Sequence, residues 1–426
     1  MKKPTVLITT TEYDVIKVGG LSAALTSMVR ALKKYANPII VLPRSGHRLP
    51  WTKVMEKRQR QATVEVYEHD GVSVYTLSNQ ILDSREVYPE PADTEGIRKI
   101  DEFSARLAEA VDDIDFDVVH MQDFFAYKAM EKFKDMGKPV LLTIHRLHRE
   151  YPTWFYGEKI ALQKADYITV VGESYYKEDE KEVFNKFKDK VVAVFNGIDS
   201  EFWNAAASSH PRLSRKERRK RILQSHGLSD AVLYVYVGRF DPVQKGVDVL
   251  FKAGEKLLKT ESARMMIVGV GDKKLEQQSK ELQQEYPSKL KVINQLLPME
   301  KIRDLYASAD FAVVPSIFEP FGLVQLEAMA CECVPIGSRT GGIKDTVISY
   351  DDNPEKATGF LVEKGKWKDL LDAMKRAGAL YIREPRVVEN MRKNGRKRCE
   401  EIFQWDVSAR KYFELYKMLL SAREAK

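Results

Sequence analysis

Short apolar, β-branched runs recur along the whole chain, most of them followed by a helical pattern. This alternation limits the fold more than any other feature. In the first half the runs fall at residues 6–8, 39–41, 118–119, 140–144, 168–171 and 191–195, with amphipathic helical stretches at 21–32 and 100–111. The second half repeats the scheme. Its runs fall at 233–237, 265–268, 290–293, 311–314, 334–336 and 359–362, and its helical patterns at 247–258, 273–286, 299–308 and 323–329. Continuously apolar strands separated by helices are buried on both faces and belong to parallel sheets. Two such arrays predict an α/β chain of two doubly wound, Rossmann-like domains. The 426 residues suffice for that at ~150 residues per domain. The expected division is 1–205, 206–402, and a terminal helical segment 403–426 with Asp406 near its start.

Composition removes several alternatives. Hydrophobic residues make up 44%, which excludes a mainly disordered chain. Cys331, Cys333 and Cys399 are too few for a secreted disulfide framework, and the first two lack the spacing of a zinc site. No apolar run reaches the length needed to span a bilayer, and the N-terminal lysines lead into too short an apolar stretch for a signal sequence. A cytoplasmic protein without a membrane partner is expected. The net charge of +7 sits almost wholly in residues 212–221, which hold seven basic residues and one acid. Nucleic-acid binders spread a basic surface over a domain, so no nucleic-acid partner is expected. The run is read as a solvated helix face.

In doubly wound sheets ligands bind beyond the carboxyl ends of strands, near helix N-termini. Four motifs occupy such positions. Lys17-Val18-Gly19-Gly20-Leu21 follows the first strand, and its glycines let backbone N–H groups approach an anion. Gly238-Arg239-Phe240-Asp241 with Gln244-Lys245-Gly246 places a planar cation and a point cation in one loop, a pair suited to a diphosphate. Pro315 to Leu323 carries Glu319 ahead of a helix that holds Glu327. A carboxylate in so apolar a helix is costly without a partner, which favours a ligand or an ion pair. Arg339-Thr340-Gly341-Gly342 forms a further anion-capable loop. His145 ends a strand, and His120 and Asp123 follow another. Each serves either packing or a cleft-facing role. Gly269-Val270-Gly271 lacks the third glycine of a dinucleotide fingerprint and is read as a tight turn. There is no Walker A motif, no nucleophile elbow and no metal-ligand cluster.

Taken in order, KVGGL, NGID with Trp203-Asn204, GRFDPVQKG, EPFGLVQLE, TGGIKDTV and the tail FQWDVSARKYFELY resemble glycogen and starch synthases. These are retaining glycosyltransferases of the GT-B fold, and the short length is similar to the compact archaeal type. The resemblance implies two domains facing a cleft, with the terminal helix crossing back to the first. It implies transfer of glucose from ADP-glucose or UDP-glucose to the non-reducing end of glycogen or a maltooligosaccharide, with retention by same-face attack. The donor is then a substrate, and no cofactor or metal is expected. By the same resemblance, Lys17, Gly19 and Gly20 form the donor loop of the first domain. Arg239 and Lys245 stabilise the leaving diphosphate. Glu319, Phe321, Gly322 and Leu323 surround the transferred glucose and donor groups, with Thr340 nearby. Glu327 binds ribose. His145 lies beside the anomeric centre, Asp123 near the acceptor, and Asn196 near sugar hydroxyls. The sequence departs from the bacterial pattern at Ser22-Ala23-Ala24, at Phe321, and at Arg146-Leu147-His148. A related transferase making a small glycoside and a non-catalytic glucan-binding protein are the alternatives. Self-association stays open.

Overall fold

The computed structural model describes residues 3–16, 20–44, 49–59, 61–82, 94–260 and 262–424. The chain forms two compact units, one of residues 1–171, 180–197 and 405–426, the other of 172–179 and 198–404. The long segment of the second unit thus begins at residue 198, where the sequence suggested 206. The segment 172–179 belongs to the second unit, and the terminal helix Trp405–Glu424 to the first.

Among the described residues the first unit has one sheet, built from β1 (Thr5–Thr9), β2 (Asn37–Pro43), β3 (Thr52–Gln59), β4 (Ala62–His69), β5 (Val72–Ser78), β6 (Val118–Gln122), β7 (Val140–Ile144), β8 (Tyr167–Val170) and β9 (Val191–Ala193). The spatial order is β3-β4-β5-β2-β1-β6-β7-β8-β9. From β5 to β9 every neighbouring pair is parallel, with Ile8 opposite both Ile40 and His120. The antiparallel ribbon β3-β4-β5 is absent from the sequence expectation. Polar residues interrupt all three strands, as in TKVMEKRQ, ATVEVYEH and VSVYTLS, so they lack the continuous apolar run of a buried parallel strand. The turn Asp70-Gly71, with φ of 54° and 68°, is the Asp-Gly signal of a tight hairpin.

The helix Trp405–Glu424 packs on the helix Gly20–Leu32 and its flank. Phe413 stacks on Tyr35 at 5.8 Å, and Asp406 accepts hydrogen bonds from Lys34 Nζ and Tyr35 Oη at 2.8 and 3.0 Å.

The second unit has β10 (Val232–Val237), β11 (Ala263–Val268), β12 (Leu290–Ile293), β13 (Phe311–Val314), β14 (Val334–Ser338) and β15 (Phe360–Val362). Their order is β12-β11-β10-β13-β14-β15, and every pair is parallel. Tyr234 stacks on Phe311 at 5.3 Å in its core, and its hydroxyl donates to Met374 O at 2.8 Å.

The basic run is not a purely solvated face. Its helix, Arg215–Ser225, starts with a capping box between Ser214 and Glu217. Arg215 Nη1 donates to Tyr306 O and Ala309 O at 2.9 and 2.6 Å, and Arg218 Nε to Ala307 O at 3.0 Å. Both satisfy carbonyls at the end of the helix Met299–Ser308 that lack intrahelical partners. Arg219 and Arg392 grip the fully buried Asp310 at 2.9 and 3.1 Å. A carboxylate so deep persists only when paired. Lys216, Lys220 and Arg221 remain exposed. Cys331, Cys333 and Cys399 are buried free thiols. No helix among the described residues is long and apolar enough to cross a membrane.

Candidate functional site

A doubly wound sheet opens a crevice where its strand order reverses, because the connections leave for opposite faces there. In the second unit the reversal lies between β10 and β13. The strand β10 runs into Gly238–Gly246, and β13 into Pro315–Leu323. Lys245 Nζ lies 2.6 Å from Glu319 Oε2, and Ser316 Oγ donates to the same oxygen at 3.2 Å. The two loops are tied by their backbones, since Ile317 N donates to Gln244 O at 2.7 Å. Gly246 makes this approach feasible. Its φ is +59°, and a Cβ there would lie 2.1 Å from Pro315 O. An ammonium has three donors, so Lys245 can hold Glu319 and still serve an incoming anion.

Arg239 stands apart from this pair. Its guanidinium is 62% exposed and lies 3.4 Å from Asp241 Oδ2. Asp241 Oδ1 accepts from Val243 N and Gln244 N at 2.9 and 2.8 Å, which shapes the loop. The 340–342 turn closes on the Glu319 loop, with Gly342 N donating to Glu319 O at 3.0 Å and Thr340 Oγ1 to Ile317 O at 3.2 Å. The Phe321 ring is buried 6.2 Å from Phe403 and anchors the loop, and its carbonyl accepts from Gln325 Nε2 at 2.9 Å. Gly322 has φ +82°, and Leu323 is half-buried just before the helix Val324–Ala330. Glu327 is half-buried in that helix, and its carboxylate meets no protein hydrogen-bond donor among the described residues. Desolvation pushes its pKa up to about 7. The ion-pair option left open by the sequence is therefore unfilled.

Sequence reasoning missed the support supplied by residues 172–179. Asp179 Oδ2 accepts from Gly341 N at 3.0 Å, Ser174 Oγ donates to Asp345 Oδ1 at 2.6 Å, and Tyr175 meets Phe318 at 6.0 Å. Nothing in the local pattern of this segment signals those distant partners. The Gly269–Gly271 turn serves the fold, as expected, with a backbone bridge from Gly271 to Phe240.

In the first unit the order reverses between β1 and β6. Lys17 and Gly19 lie outside the described residues, and Gly20 opens the helix Gly20–Leu32. Ser22, one of the departures, donates from Oγ to Asp14 O at 2.9 Å and so pins the preceding turn. Beyond β6, Asp123 adopts φ +56°, a strained conformation for a non-glycine residue. Its Oδ1 accepts from His145 N at 2.8 Å, so two of the expected residues meet directly. His145 Nε2 lies 2.7 Å from Gln122 Oε1. His148, another departure, donates from its backbone N to both oxygens of Glu158 at 3.0 Å, and its Nδ1 lies 2.7 Å from Oε1. Burial raises the pKa of Asp123 to about 7 and lowers that of His145 to about 4. It moves Glu158 up and His148 down as well. Burial thus keeps the histidines of this cluster neutral near pH 7 and draws its two acids toward their protonated forms. Asn196 is half-buried after β9, and no hydrogen bond joins it to the cluster. Gln122 and Glu158 were not singled out from sequence, and His148 only as a departure, although Gln122 sits between His120 and Asp123. Among the described residues no three His, Cys, Asp or Glu side chains converge as a metal site requires.

The sequence signature described as the starch synthase catalytic domain matches residues 5–186, and that of glycosyl transferases group 1 matches residues 218–398. A glycogen synthase of Bacillus cereus is 29% identical, with 95% of this chain and 97% of that protein covered. The glycogen synthase of Geobacillus stearothermophilus is 28% identical, at 96% of each chain. Among solved structures, the catalytic domain of starch synthase IV from Arabidopsis thaliana, bound to ADP and acarbose, is similar with a TM-score of 0.82. It is 20% identical, covering 99% of this chain and 100% of that one. A sucrose-phosphate synthase from Thermosynechococcus elongatus has a TM-score of 0.72 at 22% identity, covering 99% and 100%.

Proposed function

We propose, for a chain that belongs to the glycogen and starch synthase family of glycosyltransferases, that it extends an α-1,4-glucan by transferring glucose from ADP-glucose or UDP-glucose with retention. As a member of that family it is a hexosyltransferase of the glycogen-synthase type. Its own residues suit the parts of that reaction. Breaking the bond from the anomeric carbon to the diphosphate leaves negative charge on the leaving group. Lys245 offers free donors to that charge, and Arg239 is exposed enough to swing onto it. Glu319, held by Lys245 and Ser316, can accept hydrogen bonds from glucose hydroxyls, and the backbone of Phe321, Gly322 and Leu323 can approach donor groups. Glu327 needs a hydrogen-bond donor that no described residue supplies, and a ribose diol would supply one. The 340–342 turn, with Thr340 fixed on Ile317 O, holds the Glu319 loop in place. Lys17, Gly19 and Gly20 are assigned to donor binding and Asn196 to sugar binding by the family resemblance alone. His145, neutral near pH 7, and Asp123 serve the acceptor side. No resident cofactor or metal enters this scheme, because two cations carry the leaving-group charge.

What supports it most is the Lys245–Glu319 contact at the reversal point of the second sheet, where a donor of charge and a binder of hydroxyls stand side by side. The test is incorporation of labelled glucose into glycogen from ADP-glucose and UDP-glucose side by side, with chelator present. Lengthened outer chains with either donor support the proposal and name the nucleotide. Label appearing only in a disaccharide or sugar phosphate would replace it with a small-acceptor transferase.

A further inference from the structure

The relay around His145 points to a residue that none of the motifs names. Gln122 is 2% exposed at the carboxyl end of β6 and touches two imidazoles at once. Its Nε2 lies 3.0 Å from His120 Nε2, and its Oε1 lies 2.7 Å from His145 Nε2. An amide nitrogen only donates and an amide oxygen only accepts. In this orientation His120 Nε2 is therefore bare, and His120 holds its proton on Nδ1, 2.7 Å from Tyr416 Oη on the terminal helix. By the same logic His145 carries its proton on Nε2. Its Nδ1 is then a bare acceptor, and no described group bonds to it. Thr143 Oγ1, 2.6 Å from both His120 Nε2 and Thr169 Oγ1, completes the buried end of the relay.

We propose that Gln122 is a positioning residue that fixes the tautomer of His145, presenting Nδ1 as an acceptor for a sugar hydroxyl, and that His120 and Tyr416 fix Gln122 in turn. This rests on the acceptor-side role given to His145 above. Desolvation keeps His145 neutral near pH 7, so its tautomer decides whether it accepts or donates. The relay runs through the core of the first unit to the helix Trp405–Glu424, which gives that helix a role beyond packing.

The test compares wild type, Gln122→Met and Gln122→Glu by nitrogen-15 NMR of the histidine rings, together with turnover and thermal stability. Met keeps the length and removes both polar atoms. Glu keeps an oxygen that accepts from His145 Nε2–H. In wild type and Gln122→Glu, His145 should show a protected Nε2–H. In Gln122→Met that signal should be lost to solvent exchange, and kcat should fall on the order of 10²-fold with the donor KM little changed. Gln122→Glu should recover part of that loss. A wild-type proton on Nδ1, an unchanged His145 signal in Gln122→Met, or a folded Gln122→Met with wild-type kcat would overturn the proposal. The ring signals do not depend on turnover. A wild type that shows the expected Nε2–H but builds no glucan would overturn the proposed function and leave the positioning role standing.

Discussion

The two units handle buried polarity in opposite ways. In the first, the groups beyond β6 and β7 are desolvated and drawn toward their neutral forms, with Asp123 shifted up to about 7 and His145 down to about 4. In the second, charge is kept and paired on Asp310 between Arg219 and Arg392 and on Glu319 beside Lys245, and Glu327 alone of the site's described acids is unpaired and shifted up to about 7. Neutral clusters suit directional hydrogen bonding to hydroxyls. Charged, partly exposed clusters suit an anion whose charge grows during reaction. The same kind of sheet thus presents two chemistries, set by what its strand ends carry.

The largest effect should come from breaking the charged side. Lys245→Ala should lower kcat by on the order of 10²–10³-fold, the usual cost of removing one donor from developing charge. Glucan affinity, measured by binding to immobilised glycogen, should change little. Near-normal turnover would remove the diphosphate role from this lysine.

Asp310→Ala tests whether the paired charges stabilise the second unit. It removes the fully buried carboxylate that Arg219 and Arg392 share, leaving Asp230 as the one carboxylate on Arg219, and should cost ~3–5 kcal/mol in denaturant unfolding. Lys220→Ala, from the exposed side of the same basic run, should leave the midpoint unchanged. Equal effects of the two would mean that the run acts as a whole and not through its buried arginines.

Measured at about pH 8, where Glu327 is mostly ionised, Glu327→Gln should raise the donor KM by roughly 10- to 100-fold while changing kcat less, as expected for loss of a charge-assisted hydrogen bond to bound ligand. A fall in kcat alone would place this residue on the glucose side.

The smallest effect sharpens the neutral side. Asp123 and Glu327 have folded pKa values near 7 and Glu158 near 8, all above their unfolded values. The folded state therefore holds protons that the unfolded state has lost, and stability falls as pH rises toward those values. His120 and His145, shifted to about 3 and about 4, act in the opposite direction, but only up to their unfolded value of 6.5. Between about pH 6.5 and 8 the acids act alone, so the melting temperature should decline across that window. Glu158→Gln should flatten the decline. A melting temperature that rises with pH there would contradict the neutral assignment.

Much of this was legible in the sequence because strand ends and glycine turns are local signals. The six strands of the second sheet and the loops around Lys245, Glu319 and Thr340 read directly from apolar runs and loop residues. The β3-β4-β5 ribbon was missed because polar residues interrupt its strands and break the continuous-run signal. The buried arginines of 212–221 were missed because their partners, the carbonyls of Tyr306, Ala307 and Ala309 and the carboxylate of Asp310, lie far along the chain. Gln122 escaped notice for a related reason. Its meaning comes from the two histidines that it touches, and no periodicity reports that contact.

The most direct test of the account is nucleoside diphosphate release from the glucose donor, with and without glycogen, by wild type and Lys245→Ala in the presence of chelator. The account predicts release that glycogen strongly stimulates in wild type and that Lys245→Ala nearly abolishes. Release that ignores glycogen, or that survives the loss of Lys245, would contradict it.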